Sequence, residues 1–598
     1  WAFRRSEGSV RNRLHPTQAA WAMSPMKAQK LGRRGAKDVQ KPFPGQNLKP
    51  SEVNRSVIAA SEDGNMLGLL SVIGQNMQYM NLVNMSTSIH RLAKGADKDP
   101  EVRLLVTQSQ VFQELLNAIY SKLCHTQGIS CLHQCLSNVT WSLAHLYTND
   151  SELMALLATL STQYMEGFKP FELSMLLWGF AKLGVVEGIS DTIQALFQAA
   201  SECIAANLSH FSFRSLSMIA WAFATVRQRD SQLFAALASE MCRTARNANC
   251  QEVGNTVWAF ATAGHPDGKL LAAMVMAAMP QMSKFKAQEI SNMLWGFATL
   301  GYWNEDLFLM SIQAAMRLDL GSQHIAIILW ACAKVMPKHD AMEGLVTRFA
   351  PLCAARLGTF RPHEVCSTVQ DLAKVLLPGP NEAGTVTERP LASAGAPLHE
   401  DVLALLEALA QWVASNSQAL TPSAFTGVVS SLVFLGIRAE RRVDLSLEPA
   451  VVSRAQAIPP AEKVTLLRAF LTYPWIAREA VGALAAGLST AVCSLQPWDL
   501  QALGRMYHAA GNRPGTRINP SPQDLSWWCL ALAAGLPFQA ASMEPDKLEA
   551  IQDDGPDVST RSDSSTGSYL ETDPVSSHEH CIPTAESLPF LEWRPALS

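Results

Sequence analysis

The chain has 598 residues, 48% of them hydrophobic and 17% charged, with a formal net charge of −4 at pH 7. Its longest uninterrupted apolar run, LLAAMVMAAMP at 270–280, is too short to cross a bilayer, so no membrane insertion is expected. Twelve scattered cysteines, with no secreted-domain framework and no apolar signal core before them, fit free thiols in a reducing compartment.

Residues 1–50 hold eleven Lys or Arg, among them Arg4, Arg5, Arg11, Arg13, Arg33 and Arg34, against Glu7 and Asp38. A basic, acid-poor stretch with interspersed Ser and Ala resembles a mitochondrial or plastid presequence and is expected to be disordered.

From residue 51 to 376 a single phrase returns. It reads LSMLLWGFAKLG ending at Gly184, LSMIAWAFATV around Trp221, VGNTVWAFATAG ending at Gly264, ISNMLWGFATLG ending at Gly301 and IAIILWACAKV around Trp330. The tryptophans Trp178, Trp221, Trp258, Trp295 and Trp330 are spaced by 43, 37, 37 and 35 residues, the signature of a stacked repeat rather than of one compact enzyme core. Fainter copies carry Trp141 in SNVTWSLAHLY, His90 at the tryptophan position of MSTSIHRLAKG, Gln370 in VCSTVQDLAKV and Ser430 in TGVVSSLVFLG. Eight or nine units are expected.

Within one unit, Ile290, Met293, Leu294, Phe297, Ala298 and Leu300 fall on one stripe at 100° per residue, which predicts an amphipathic helix closed by Gly301. The small residue after each tryptophan, Gly296 or Ala222 or Ala259, predicts close approach of a neighbouring helix. A polar turn and a second apolar-periodic segment follow, such as 233–245 or 307–318, so each unit reads as a helical hairpin. The predicted fold is all-α: an α-solenoid of stacked hairpins with a period of about 37 residues.

Residues 377–400 are rich in Pro, Gly and small side chains and read as a flexible linker. Helical periodicity resumes over 401–540, in segments 401–416, 421–436, 461–472 and 476–495, with Thr421 and Pro422 as N-cap and first helical residue. Residues 541–598 hold three basic against twelve acidic residues and read as an acidic disordered tail.

The tryptophans lie amid Leu, Ile and Phe, so they are assigned to the seams between units rather than to base stacking. The face opposite the apolar stripe offers more chemistry. There, two positions seven residues apart pair Thr87 with Lys94, Asn138 with His145, Met175 with Lys182, Met218 with Thr225, Asn255 with Thr262, Asn292 with Thr299, Ile327 with Lys334 and Ser367 with Lys374. One or two polar or basic side chains per repeat are how helical-repeat proteins read successive bases of single-stranded RNA. Residues 170–375 carry sixteen basic and sixteen acidic side chains, so charge alone does not mark a nucleic-acid surface. Glu172, Glu252, Glu289 and Glu364 recur at helix starts, where the helix dipole stabilises them whatever the function.

Cys124, His125, Cys131, His133 and Cys135 form a local cluster with no second CxxC or HxxxH nearby, so no metal site is assigned, and His578, His580 and Cys581 are no stronger. No phosphate-loop, nucleophile-elbow, zinc-protease or dinucleotide pattern occurs. No cofactor and no enzymatic activity are expected.

The phrase I-S-N-x-L-W-[AG]-F-A-T-L-G, carried here by Ser291, Asn292, Trp295, Phe297 and Ala298, resembles the heptatricopeptide and octotricopeptide repeats, relatives of RAP-domain proteins. The resemblance spans 80–375 and, faintly, 400–440. It implies an organellar RNA-binding factor acting in RNA processing, stability, translation or ribosome assembly. The RAP domain itself has no counterpart in the acidic tail. The other reading is a protein-binding scaffold or a subunit of a large organellar complex such as a ribosome.

Overall fold

The computed structural model describes residues 49–125, 131–184, 190–228, 230–377, 397–472 and 477–489. The basic segment up to 48, most of the 377–400 linker, the helical reading beyond 489 and the acidic tail lie outside the described residues. Among the described residues the regular elements are α-helices and short 3-10 turns, with no strand. No helix there is long and apolar enough to cross a membrane. The chain divides into two compact units, Trp1–Leu196 and Phe197–Ser598.

The first unit contains α1 (Pro50–Glu62), α2 (Met66–Asn76), α3 (Leu82–Ala96), α4 (Pro100–Thr107), α5 (Gln110–Leu123), α6 (Leu132–Leu146), α7 (Ser151–Gln163) and α8 (Pro170–Leu183). The division between the units falls inside α9 (Ser190–Asn207). In the second unit follow α10 (Phe213–Thr225), α11 (Ser231–Thr244), α12 (Cys250–Ala263), α13 (Gly268–Ala278), α14 (Ala287–Thr299), α15 (Glu305–Ala315), α16 (Ser322–Val335) and α17 (Ala341–Arg356). They continue with α18 (Pro362–Leu376), α19 (Glu400–Ser415), α20 (Pro422–Arg438), α21 (Val443–Arg454), α22 (Pro460–Thr472) and α23 (Arg478–Ser489).

The repeated phrase lies on α3, α6 and α8 of the first unit, which pack side by side in that order. In the second unit α10, α12, α14, α16, α18, α20 and α22 do the same, while the intervening helices form a second layer, with α17 on α19, α19 on α21 and α21 on α23. This is the solenoid of helical hairpins that the period predicts. One departure is local: His90 and Trp141 are separated by two helices, α4 and α5, instead of one.

Local chemistry sets the helix ends. At the start of α8, α12, α14 and α18 the carboxylates of Glu172, Glu252, Glu289 and Glu364 accept the backbone N–H of Lys169 (3.1 Å), Asn249 (3.1 Å), Lys286 (2.9 Å) and Arg361 (2.8 Å), satisfying donors that the helix leaves over. The second-layer helices α7, α11, α13 and α15 start on Asp150, Asp230, Asp267 and Asn304, whose side chains accept a first-turn N–H. Thr421 caps α20 ahead of Pro422 as the sequence indicates. Six residues after the tryptophan the backbone turns left-handed, at Gly264 (φ 69°) and Gly301 (φ 68°), where glycine has no Cβ to clash.

The tryptophans are core residues: none of Trp141, Trp178, Trp221, Trp258, Trp295 and Trp330 is more than 6% exposed. In the second unit the Trp221, Trp258 and Trp295 rings follow one another at 6.2 and 6.4 Å. In the first, His90 stacks on Trp141 at 4.7 Å, placing it at the tryptophan position of its repeat.

Two small residues let neighbouring phrase helices meet. A Cβ on Gly296 would stand 2.8 Å from the carbonyl C and O of Val257, and one on Gly179 would stand 3.0 Å from those of Thr140. Four residues before the tryptophan, Ser137 donates its hydroxyl to Glu172 O of the next helix at 2.8 Å, and Ser217 does so to Glu252 O at 3.2 Å. At Gly254 a Cβ would stand 3.0 Å from the equivalent carbonyl of Glu289. Backbone touches backbone at both points.

A glycine-to-alanine change inside an exposed helix stabilises by about 0.5–1 kcal/mol. Gly344→Ala, in α17 with nothing near the added Cβ, is expected to follow that rule. Gly296→Ala is expected to do the reverse and cost about 1–3 kcal/mol, because its added carbon meets backbone. Urea melts of the two variants check the opposite signs; a stabilised Gly296→Ala would disprove the close crossing.

Candidate nucleic-acid interface

The sequence places the pairs seven residues apart on a face opposite the core, and the structure corrects this. Asn255 and Asn292 are buried, as are His145 and Lys182; Asn138, Thr225, Thr262 and Thr299 are half-buried; Lys94, Lys334 and Lys374 are exposed. The reason is that a phrase helix is enclosed by more than one neighbour. In α14 every residue from Ile290 to Ala298 is buried, since α12 and α16 flank it and α15 packs on it. A single-helix projection sees one apolar stripe and takes the remainder for solvent. Only the last-turn member of each pair reaches the surface, and not in every repeat.

Several of these polar groups sit against the tryptophans. The Lys182 ammonium lies 5.1 Å from the Trp178 ring centre, and that of Lys334 lies 4.9 Å from Trp330, a cation–π arrangement that suits a partly desolvated cation. Burial, with the Lys374 charge second, holds the Lys334 ammonium below its usual range. Lys374 pairs with the buried Asp371 carboxylate at 2.9 Å. In α12 and α14, Asn255 Nδ2, Thr262 Oγ1, Trp295 Nε1 and Thr299 Oγ1 are buried with no hydrogen-bond partner, as are Thr140 Oγ1, Trp141 Nε1 and His145 Nε2 in the first unit.

The first unit has a different centre. His145 lies between Trp141 (3.9 Å) and Trp178 (5.1 Å) and bonds through Nδ1 to Asp97 Oδ1 at 2.7 Å. Burial lowers its pKa and outweighs the raising effect of Asp97. The neutral imidazole therefore carries its proton on Nδ1. Beyond the last turn of α6, Tyr147 is 53% exposed, with the Arg103 guanidinium and the Lys182 ammonium over its ring. Sequence reasoning missed Tyr147 and Arg103. The signal for Tyr147 is its place six residues after Trp141, where the repeats of Trp178, Trp258 and Trp295 carry glycine; Arg103, on α4, lies outside the phrase and gives none.

In the Cys and His cluster of 124–135, Cys124 and Cys131 are exposed. Cys135 is buried and accepts from the Ser86 hydroxyl, while the His133 ring packs edge-on against Phe168. Among the described residues no three His, Cys, Asp or Glu side chains stand together as a metal ion requires.

Residues 190–338 match the model of a family described as RNA-editing substrate-binding complex 6 protein. That segment contains the repeats of Trp221, Trp258, Trp295 and Trp330, and it is similar to an RNA-associated family rather than specifically to the heptatricopeptide or octotricopeptide repeats. No curated protein matches the chain.

His90 yields a pH prediction. Burial first, then the charges of Arg91, Lys94 and His145, lower its pKa from 6.5 to about 4. The unfolded chain thus binds a proton across that window and the folded chain does not, so the contribution is complete above pH 6.5 and is lost as pH falls toward 4. Gln370 occupies the same repeat position in α18, which makes His90→Gln the natural comparison. Wild type should lose up to about 3 kcal/mol more than His90→Gln between those pH values. Parallel thermal melts at stepped pH measure the difference, and superimposable curves would refute it.

Proposed function

We propose that the chain is a non-enzymatic helical-repeat protein that binds single-stranded RNA within an RNA-processing assembly. The observation that carries this reading is a coincidence of place. The segment similar to the RNA-editing substrate-binding complex 6 family, 190–338, holds the repeat whose last-turn Lys334 is exposed. The last-turn cations Lys94 and Lys334 would supply phosphate contacts, which position a strand without reading it. The resemblance of the phrase to heptatricopeptide and octotricopeptide repeats points to the same class.

On this reading the basic stretch over 1–50 directs the chain to a mitochondrion or plastid. The repeat array over 51–376 carries the RNA, the linker at 377–400 separates it from the helical region of 401–540, and the acidic tail of 541–598 stays free of the strand. A second reading, a protein-binding scaffold, draws on an open cleft of about 700 Å³ on the second layer, lined in part by Arg246, Asn249, Met276 and Gln281. Met276 is 72% exposed there, an unusual place for a large apolar side chain unless a partner covers it.

Salt separates the two. Retention of a mixed-sequence single-stranded RNA on filters should weaken with salt, with a log–log slope of about −0.7 per phosphate contacted. Lys94→Ala combined with Lys334→Ala should reduce the slope by about one or two contacts and lower affinity several-fold, with melting unchanged to about 0.5 kcal/mol. No RNA retention at low salt would reject RNA binding in favour of the scaffold.

A further inference from the structure

The end of α6 is closed at a conformational cost. Tyr147 adopts φ 51°, ψ 36°, the left-handed region that disfavours residues with a Cβ. Gly184, Gly264 and Gly301 take positive φ at the same repeat position without that penalty, and Arg227 (φ 60°) shares that position. Burial of the ring does not offset the cost, because Tyr147 remains 53% exposed. Strain retained at an exposed aromatic residue points to a use for the side chain.

What surrounds the ring indicates the use. Arg103, brought by α4, places its guanidinium carbon 4.8 Å from the ring centre, and Lys182, brought by α8, places Nζ at 5.0 Å. Arg103 is held from behind, Nη2 donating to the Asp97 carbonyl at 3.0 Å. The charged groups that act on the neighbouring His90 and His145 are Arg91, Lys94, Arg103 and Lys182 against the single carboxylate of Asp97. That carboxylate is already bonded to His145. An exposed π surface set among cations is complementary to one chemical unit above others: a base attached to a phosphodiester.

We propose that Tyr147, Arg103 and Lys182 form a single-nucleotide subsite for single-stranded RNA on the first unit. The base stacks on the Tyr147 and Arg103 planes, and the flanking phosphate sits against the Arg103 and Lys182 charges. The subsite rests on the RNA-binding reading and deepens it by naming where the first unit takes hold.

The test uses the full chain and a short mixed-sequence single-stranded RNA. Tyr147→Gly should leave Tm unchanged or raised, because it removes the strain, and should weaken RNA binding by about tenfold, as loss of a stacked base does. Its salt slope should match wild type, since no charge is lost. Tyr147→Asn, which also tolerates the left-handed region, should behave alike, and Tyr147→Phe should retain binding. Arg103→Gln should lower both affinity and slope. If wild type binds RNA and Tyr147→Gly binds it equally well, the subsite is wrong and the RNA reading stands. If wild type binds no RNA at low salt, both fall. Weakened binding of a protein partner with unchanged RNA affinity would also overturn the subsite.

Discussion

Backbone-to-backbone contact between successive phrase helices is the constraint on which the rest of the structure depends. Between α12 and α14 it occurs at two points, one beside the tryptophan and one four residues before it. The first brings Gly296 to the Val257 carbonyl and the second brings Gly254 to the Glu289 carbonyl. At such separations a methyl group is already too large, so the residues there are small for steric reasons and not for flexibility. The serine hydroxyls add a hydrogen bond to a carbonyl that would otherwise be buried without a second partner.

Once the helices are that close, the indoles have little freedom. They fill the remaining seam and follow one another along the second unit at about the separation of offset aromatic pairs. In the first unit the same seam holds His90 and His145 among the tryptophans. Imidazoles there are neutral because burial penalises the charged form more than Asp97 favours it. The price of that exchange is a unit whose stability depends on acid.

Chemistry that could meet a ligand is displaced to the helix ends. Phrase helices covered on several sides leave only their last turn and the residue beyond it accessible. Lys94 and Lys334 extend from there, and Tyr147 stands one residue past the last turn of α6. On the RNA-binding proposal, contacts to a strand fall on the residues that follow the repeated core of the phrase, where side chains differ from repeat to repeat.

The repeat period, the tryptophan seam, the helix starts on Glu, and the glycine stops were all legible in the sequence, because each follows from residues within one or two turns of one another. Gly296 could likewise be read as a point of close approach, since a glycine inside a strong helix former needs a packing reason. The candidate site was legible only in part. Nothing in the local pattern shows that Asn255 and Asn292 are enclosed while Lys334 is not, because burial depends on three helices at once. Nor does it show that Arg103, Tyr147 and Lys182, drawn from positions up to 79 apart in the chain, converge on one ring. Those relations are decided when the helices pack, since side-chain exposure and charge proximity are properties of neighbours in space rather than neighbours along the chain.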